Sequence, residues 1–138
     1  MPTLLEAART RLPGRSDGRS LLPLLSGEAS PERALFWHYP HYGNQGGAPA
    51  AAIRRGDWKL VEWLEDGRLE LFRLSSDPGE TTDLAGSEPA RVTALRDELH
   101  AWQKEVGARF PTPNPAYRPD APNGRGAKRT PDPLEARP

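Results

Sequence analysis

The 138 residues suffice for one domain at most, and 19 Lys plus Arg against 19 Asp plus Glu leave no net charge. That balance excludes the excess positive charge from which generic nucleic-acid and membrane-surface binders draw affinity, and no such partner is expected. The absence of Cys excludes disulfides, thiolate metal sites and a Cys nucleophile.

Along the chain, Pro2-Thr3-Leu4-Leu5-Glu6 reads as the middle of an amphipathic helix, giving a short helical piece over residues 3–9. No signal peptide is recognised at the start, and no apolar run reaches membrane-spanning length. Residues 12–19 form a polar linker with Pro13, Gly14 and Gly18, and Leu21-Leu22-Pro23-Leu24-Leu25 is an apolar plug ended by Gly27, suited to packing under a larger neighbour. Ala34 to Tyr39 has the bulky, ring-rich makeup of a buried strand. Ala51 to Arg54 is a further strand, broken at Gly56. Trp58–Leu64 and Leu69–Leu74 flank Asp66-Gly67, a pair that favours a two-residue hairpin turn. Val61 and Trp63 lie on one side of that hairpin and Leu60 and Leu64 on the other, which predicts cover on both faces. A hairpin alone is marginal, so a third strand or a helix must support it.

Ser87 is a candidate N-cap for that helix, with Glu88 and Pro89 in its first turn. Val92, Leu95, Leu99, Trp102 and Val106 then recur at spacings of three and four, the signature of one apolar stripe, and Gly107 suits a left-handed stop. Pro111, Pro113, Pro115 and Pro119 enforce an extended strap, which Phe110 and Tyr117 are placed to pin to a surface. The remainder is polar, Pro/Gly-rich and expected to be disordered, with a basic run over 125–129. The fold class is therefore α+β: a small antiparallel sheet packed against one long C-terminal helix, with an extended Pro-rich tail.

Chemistry concentrates in Trp37 to Gly47, where rings surround Pro40 and a Gly-rich stretch follows. A His-x-x-His pair holds a metal when both rings share one face. Here Pro40 blocks a helix, a strand would point His38 and His41 to opposite sides, and no third ligand is marked nearby. Two readings stay open: hydrogen bonding to a polar or anionic ligand, and ordinary aromatic packing. Asn44, Gln45, Gly46 and Gly47 could offer backbone N–H groups to an anion, or simply form a flexible loop, since their spacing matches no phosphate-binding motif. Arg54, Arg55 and Lys59 are candidates for a small cationic patch, with solvated charges as the default. Asp77-Pro78-Gly79-Glu80 is a turn, and Glu80 and Asp83 fit turn and cap roles better than paired catalysis.

The order of these motifs resembles the C-terminal portion of type I sulfatases, the arylsulfatase-like members of the alkaline phosphatase superfamily. The similar elements are Asp17-Gly18, Ser20-Leu21, Pro23-Leu24-Leu25 with Gly27, and Trp37 through Gly47. They continue with Ala52-Ile53-Arg54, Gly56-Asp57-Trp58-Lys59-Leu60, Glu70-Leu71-Phe72, Leu74, Asp77 to Glu80 and Asp83-Leu84-Ala85. The match runs from residue 2 to about 119 and gives a remnant helix and linker of the large domain over 1–27, the C-terminal subdomain over 28–119 and a tail over 120–138. The resemblance implies about four antiparallel strands with a long helix against them. It also implies what is missing. Sulfatases use a formylglycine made in a C/S-x-P/A-x-R motif, with a divalent cation, usually calcium, among Asp and Asn or Gln ligands. In Ser30-Pro31-Glu32-Arg33 the Pro and Arg come one place too early, so no catalytic or metal residue carries over and the chain holds no cofactor of its own.

The expectation is a C-terminal fragment, inactive alone, of an enzyme that hydrolyses a sulfate ester on a small molecule or glycan. Its partner would be the missing N-terminal sulfatase domain. His38, His41, Asn44 and Gln45 are the candidates for holding the organic part of the substrate. The alternatives are a freestanding, non-enzymatic module for sulfated glycans and a start codon misassigned within a longer gene. The compartment is not fixed by the sequence, and a periplasmic or secreted parent is compatible with the family.

Overall fold

A computed structural model describes residues 1–10, 14, 16–29, 31–43 and 47–115. Asn44, Gln45, Tyr117, the basic run at 125–129 and the tail from 120 onward lie outside the described residues, as does part of the 12–19 linker. In chain order the elements are α1 (Pro2–Ala7), α2 (Leu22–Leu25), β1 (Ala34–Tyr39), β2 (Ala50–Arg55), β3 (Trp58–Trp63), β4 (Leu69–Arg73) and α3 (Pro89–Glu105). The four strands form one antiparallel sheet in the order β1-β2-β3-β4, and α3 packs across one face of it. The α+β expectation and the long C-terminal helix are both present.

Side-chain alternation sorts the sheet into two faces. Phe36, Ile53, Leu60 and Leu71 form one row across all four strands. Ile53, Leu60 and Leu71 are fully buried, and they meet Leu95 and Leu99 of α3 with Ala51 to form the core. Phe36 stacks on Trp102 with ring centroids 4.8 Å apart and planes 5° apart, locking edge strand β1 to the helix. The other face carries Leu35, Trp37 and Tyr39 of β1 with Val61 and Trp63 of β3. Here the buried-strand expectation for Ala34–Tyr39 is corrected: β1 is an edge strand, and Trp37 and Tyr39 are half exposed because no element of the described chain packs over them.

The hairpin turns also differ from expectation. The two-residue turn lies between β2 and β3, where Arg55 pairs with Trp58 across Gly56-Asp57 and Gly56 has φ +55°. A glycine at the first central position matches the twist that two-residue hairpins need. At Asp66-Gly67 the chain does reverse, but Trp63 N–H bonds to Arg68 O at 2.9 Å, leaving residues 64–67 as a four-residue loop with only Gly67 left-handed. Leu64 N–H donates to the Pro49 carbonyl at 2.9 Å, one step further along the β2–β3 register, and its side chain packs on the core.

Beyond β4, Asp83 and Leu84 cover the sheet edge: Leu71 N–H donates to Asp83 Oδ1 at 2.9 Å, and Leu84 N–H donates to Leu71 O at 2.8 Å. An edge paired in this way offers no free ladder to another chain. Helix α3 has Glu88 rather than Ser87 as N-cap, and the Ser87 hydroxyl instead donates to Leu84 O at 3.0 Å. The apolar stripe stops short of Val106, which is the C-cap and 53% exposed; Gly107 follows at φ +64°. The inner position one turn after Leu99 is taken by Gln103, only 3% exposed. At the N-terminus, α1 and α2 pack on each other, joined by Leu21 N–H to Thr3 Oγ1 at 3.0 Å, and Leu21, Leu24 and Leu25 remain exposed.

Candidate functional site

One end of the sheet gathers the loop after β1, the 64–67 turn, the C-terminus of α3 and the strap at 108–115. His38 sits on β1 with its side chain on the helix-covered face. Its Nε2 lies 2.8 Å from the Arg109 carbonyl, its Nδ1 lies 3.2 Å from Gln103 Nε2, and Phe110 meets the ring edge-on at 5.2 Å. A carbonyl only accepts, so Nε2 donates to it. On a neutral ring Nδ1 then accepts from the Gln103 amide. Both ring nitrogens are thus engaged within the chain.

His41 stands apart from His38. Pro40 ends the strand, and His41 is exposed in the loop with its ring edge-on to Tyr39 at 5.5 Å. Tyr42 donates to the Glu65 carboxylate, tying this loop to the 64–67 turn, and Gly43 N–H closes on Gly47 O at 2.7 Å. The rim therefore presents Trp37, Tyr39, His41 and Tyr42 to solvent. Asn44 and Gln45, which follow in sequence, lie outside the described residues.

Below the rim, an open cleft between the 64–67 turn and α3 is lined by Glu62, Trp63, His100, Gln103, Lys104 and Phe110. Glu62 is 5% exposed and shares the inward face with Leu60. Arg96 Nε donates to its Oε1 at 3.2 Å and His100 Nε2 to its Oε2 at 2.7 Å, satisfying the carboxylate that burial would otherwise penalise. The sequence reading missed Glu62, Gln103 and the Arg109 carbonyl. The signal available was spacing: Glu62 keeps the parity of Leu60, and Gln103 follows Leu95 and Leu99 at intervals of four.

The cationic residues do not form a free patch. Arg55 pairs with Glu98 on the helix face, while Lys59 pairs with Glu80 at 2.6 Å on the other, and Arg54 Nε donates to Gly56 O. The acidic turn is structural as well. Asp77 accepts from the N–H groups of Thr82 and Thr81, which hold its carboxyl below the ordinary carboxylate value. Among the described residues no three His, Asp or Glu side chains cluster so as to hold a metal. Glu62, Glu80, Glu98 and Asp83 are each engaged by cations or backbone N–H groups, so these carboxylates do not fit the calcium that the resemblance implies for a complete sulfatase. No helix among the described residues is long and apolar enough to cross a membrane.

A family model described as N-sulphoglucosamine sulphohydrolase, C-terminal, matches residues 1–106. The chain belongs to this sulfatase C-terminal family. A sulfatase from Formosa agariphila is 35% identical over 118 residues, which cover 73% of this chain and 21% of that protein. Arylsulfatase K of Mus musculus is 32% identical over 108 residues, covering 72% of this chain and 20% of its own length. Among solved structures, the sulfatase domain superposes with a TM-score of 0.65 and 27% identity on a protein in complex with its substrate D-glucosamine-2-N,6-O-disulfate, over 80% of this chain and 24% of the other. The chain thus spans about a fifth of the length of the two curated relatives.

Proposed function

We propose that this sulfatase domain is the C-terminal part of a sulfuric ester hydrolase, and that its rim lines one side of the pocket for a sulfated glycan. The observation that carries the reading is the coverage: the matched region is about a fifth of the relatives' length. Ser87-Glu88-Pro89-Ala90-Arg91 fits the C/S-x-P/A-x-R pattern, which the sequence reading overlooked, but here it opens α3, with the Ser87 hydroxyl donating to Leu84 O and the Arg91 guanidinium over the Trp58 ring, a helix-start role rather than a nucleophile's. The formylglycine nucleophile and the calcium site belong, on this reading, to a large N-terminal domain. Substrate class follows from the match to an N-sulphoglucosamine sulphohydrolase region and from the disulfated glucosamine bound in the structural neighbour.

Within the rim, His41 is the lead contact for the organic part of the substrate, because its ring is exposed and free to hydrogen-bond at a loop lined by Tyr39 and Tyr42. Asn44 and Gln45 join it in this proposal by their place in sequence. His38 contributes from behind, since its nitrogens are taken. The exposed plug at Leu21, Leu24 and Leu25 and the half-exposed Trp37 and Tyr39 supply apolar surface for the large domain to cover.

Two measurements test this. The purified 138-residue chain should not turn over 4-nitrophenyl sulfate or D-glucosamine-2-N,6-O-disulfate; hydrolysis above background would refute the division of labour. In the intact sulfatase, His41→Ala should raise KM for the disulfated glucosamine on the order of tenfold without unfolding the protein, and unchanged kinetics would remove His41 from the pocket. An upstream reading frame carrying the formylglycine motif would join this domain to its catalytic half, whereas a promoter directly before Met1 would favour a separate module.

A further inference from the structure

We propose that His38 is a positioning residue: by joining β1, Gln103 of α3 and the Arg109 carbonyl of the strap, it fixes the aim of the rim that carries His41. The proposal rests on the pocket-lining reading above for its kinetic consequence, and on geometry alone for the latch itself. His38 lies 65 and 71 residues in sequence from Gln103 and Arg109, which are tied to each other locally through Ala108 N–H to Gln103 O at 2.9 Å. Phe110, packed edge-on against the imidazole, seats the strap on the same ring.

The chemistry suits a fixed joint. The Arg109 carbonyl requires a donor at Nε2. Gln103 is buried and can present either end of its amide to Nδ1, so it accommodates the neutral ring through its N–H and the charged ring through its oxygen. Charged residues around this joint are Arg109, which enters through its carbonyl, Glu62 in the same cross-strand row, already held by Arg96 and His100, and Lys104 on the shared cleft. The joint therefore keeps a hydrogen-bond partner at both ring nitrogens. β1 ends at Tyr39, one residue past His38, and Pro40 leads directly to His41, so the position of the strand end sets where the chain delivers His41.

Hydrogen exchange on the 138-residue chain reads the latch without any activity. His38→Ala should speed exchange over residues 108–110 and the loop flanking His41 by about tenfold or more, while the Leu60 and Leu71 amides stay protected. His38→Gln, whose amide keeps a donor for Arg109, should restore most of the protection. Unchanged exchange in His38→Ala would overturn the latch. Should His38→Ala fail to fold, Phe110→Ala, at an exposed position, must loosen the strap instead, and its failure to do so would equally overturn it. In the intact sulfatase, His38→Ala should raise KM for D-glucosamine-2-N,6-O-disulfate on the order of tenfold with kcat within about twofold, and His38→Gln should recover most of the loss. Faster exchange with an unchanged KM, or a kcat collapse at constant KM, would refute positioning. An intact wild type that hydrolyses no sulfate ester would sink the proposed function instead, and the exchange data would still decide the latch.

Discussion

The two faces of the sheet are built on different terms. On the helix side, Ile53, Leu60, Leu71 and Leu99 are fully buried, and the polar groups there are paired with one another: Glu62 with Arg96 and His100, Gln103 with His38. On the opposite side, Trp37 and Tyr39 stay half exposed, and Trp63 is covered mainly by its own neighbours, through an Arg68 guanidinium 5.0 Å above the ring and an Nε1–H bond to Glu70 at 3.0 Å. The contrast teaches that α3 closes one face along its whole width, whereas on the other Ala52 and Phe72 are buried but the rings of edge strand β1 stay half exposed.

The comparison breaks most sharply at Leu99. Leu99→Ala empties a fully buried position and should cost about 2–5 kcal/mol, read as the shift in urea midpoint. Trp37→Ser on the open face should cost about 1 kcal/mol or less and should reduce self-association of the isolated chain, measured by sedimentation. Equal losses at the two sites would mean that the faces do not differ as described. A smaller effect is expected at the turn that aligns both faces. Gly56→Ala places a Cβ at φ +55°, 3.2 Å from Glu32 Oε1, and should destabilise by about 1 kcal/mol.

The smallest effect lies at the acidic turn beside β4. The Asp77 carboxyl is held below its ordinary value by the Thr82 and Thr81 N–H groups. A depressed folded-state value stabilises the turn above the ordinary carboxylate pKa of ~3.9 and loses that stabilisation as pH falls through the lower folded value. Amide shifts of Thr81 and Thr82 should follow this acid titration in the wild type and lose it in Asp77→Asn. Retention of the titration in the variant would assign it to another group.

Much of the architecture is legible in particular residues. Val92, Leu95, Leu99 and Trp102 announced α3, and the two apolar runs around Asp66-Gly67 announced the β3–β4 hairpin. The length of that turn was not legible, because it is set by which cross-strand pair closes it, here Trp63 with Arg68, and only Gly67 within the loop is left-handed. Alternation was expected to part His38 from His41, but His41 lies beyond Pro40 in the loop and not on a strand face, so alternation does not decide its place. It could not say which face α3 would cover, and so it could not show that His38 is enclosed while His41 is exposed. Glu62 and Gln103 kept the apolar periodicity of their elements but were passed over as polar. Their burial makes sense only once Arg96, His100 and His38 are seen opposite them.

The sequence by itself determined the elements, their order and the family, because periodicity, turn residues and motif order are properties of short stretches read along the chain. The tertiary structure alone decided which face is closed, which imidazole is a joint and which is a rim, and how every buried charge is met. Those outcomes depend on groups brought together from scores of residues apart, and a hydrogen bond or a packed ring exists only where the folded chain supplies its partner.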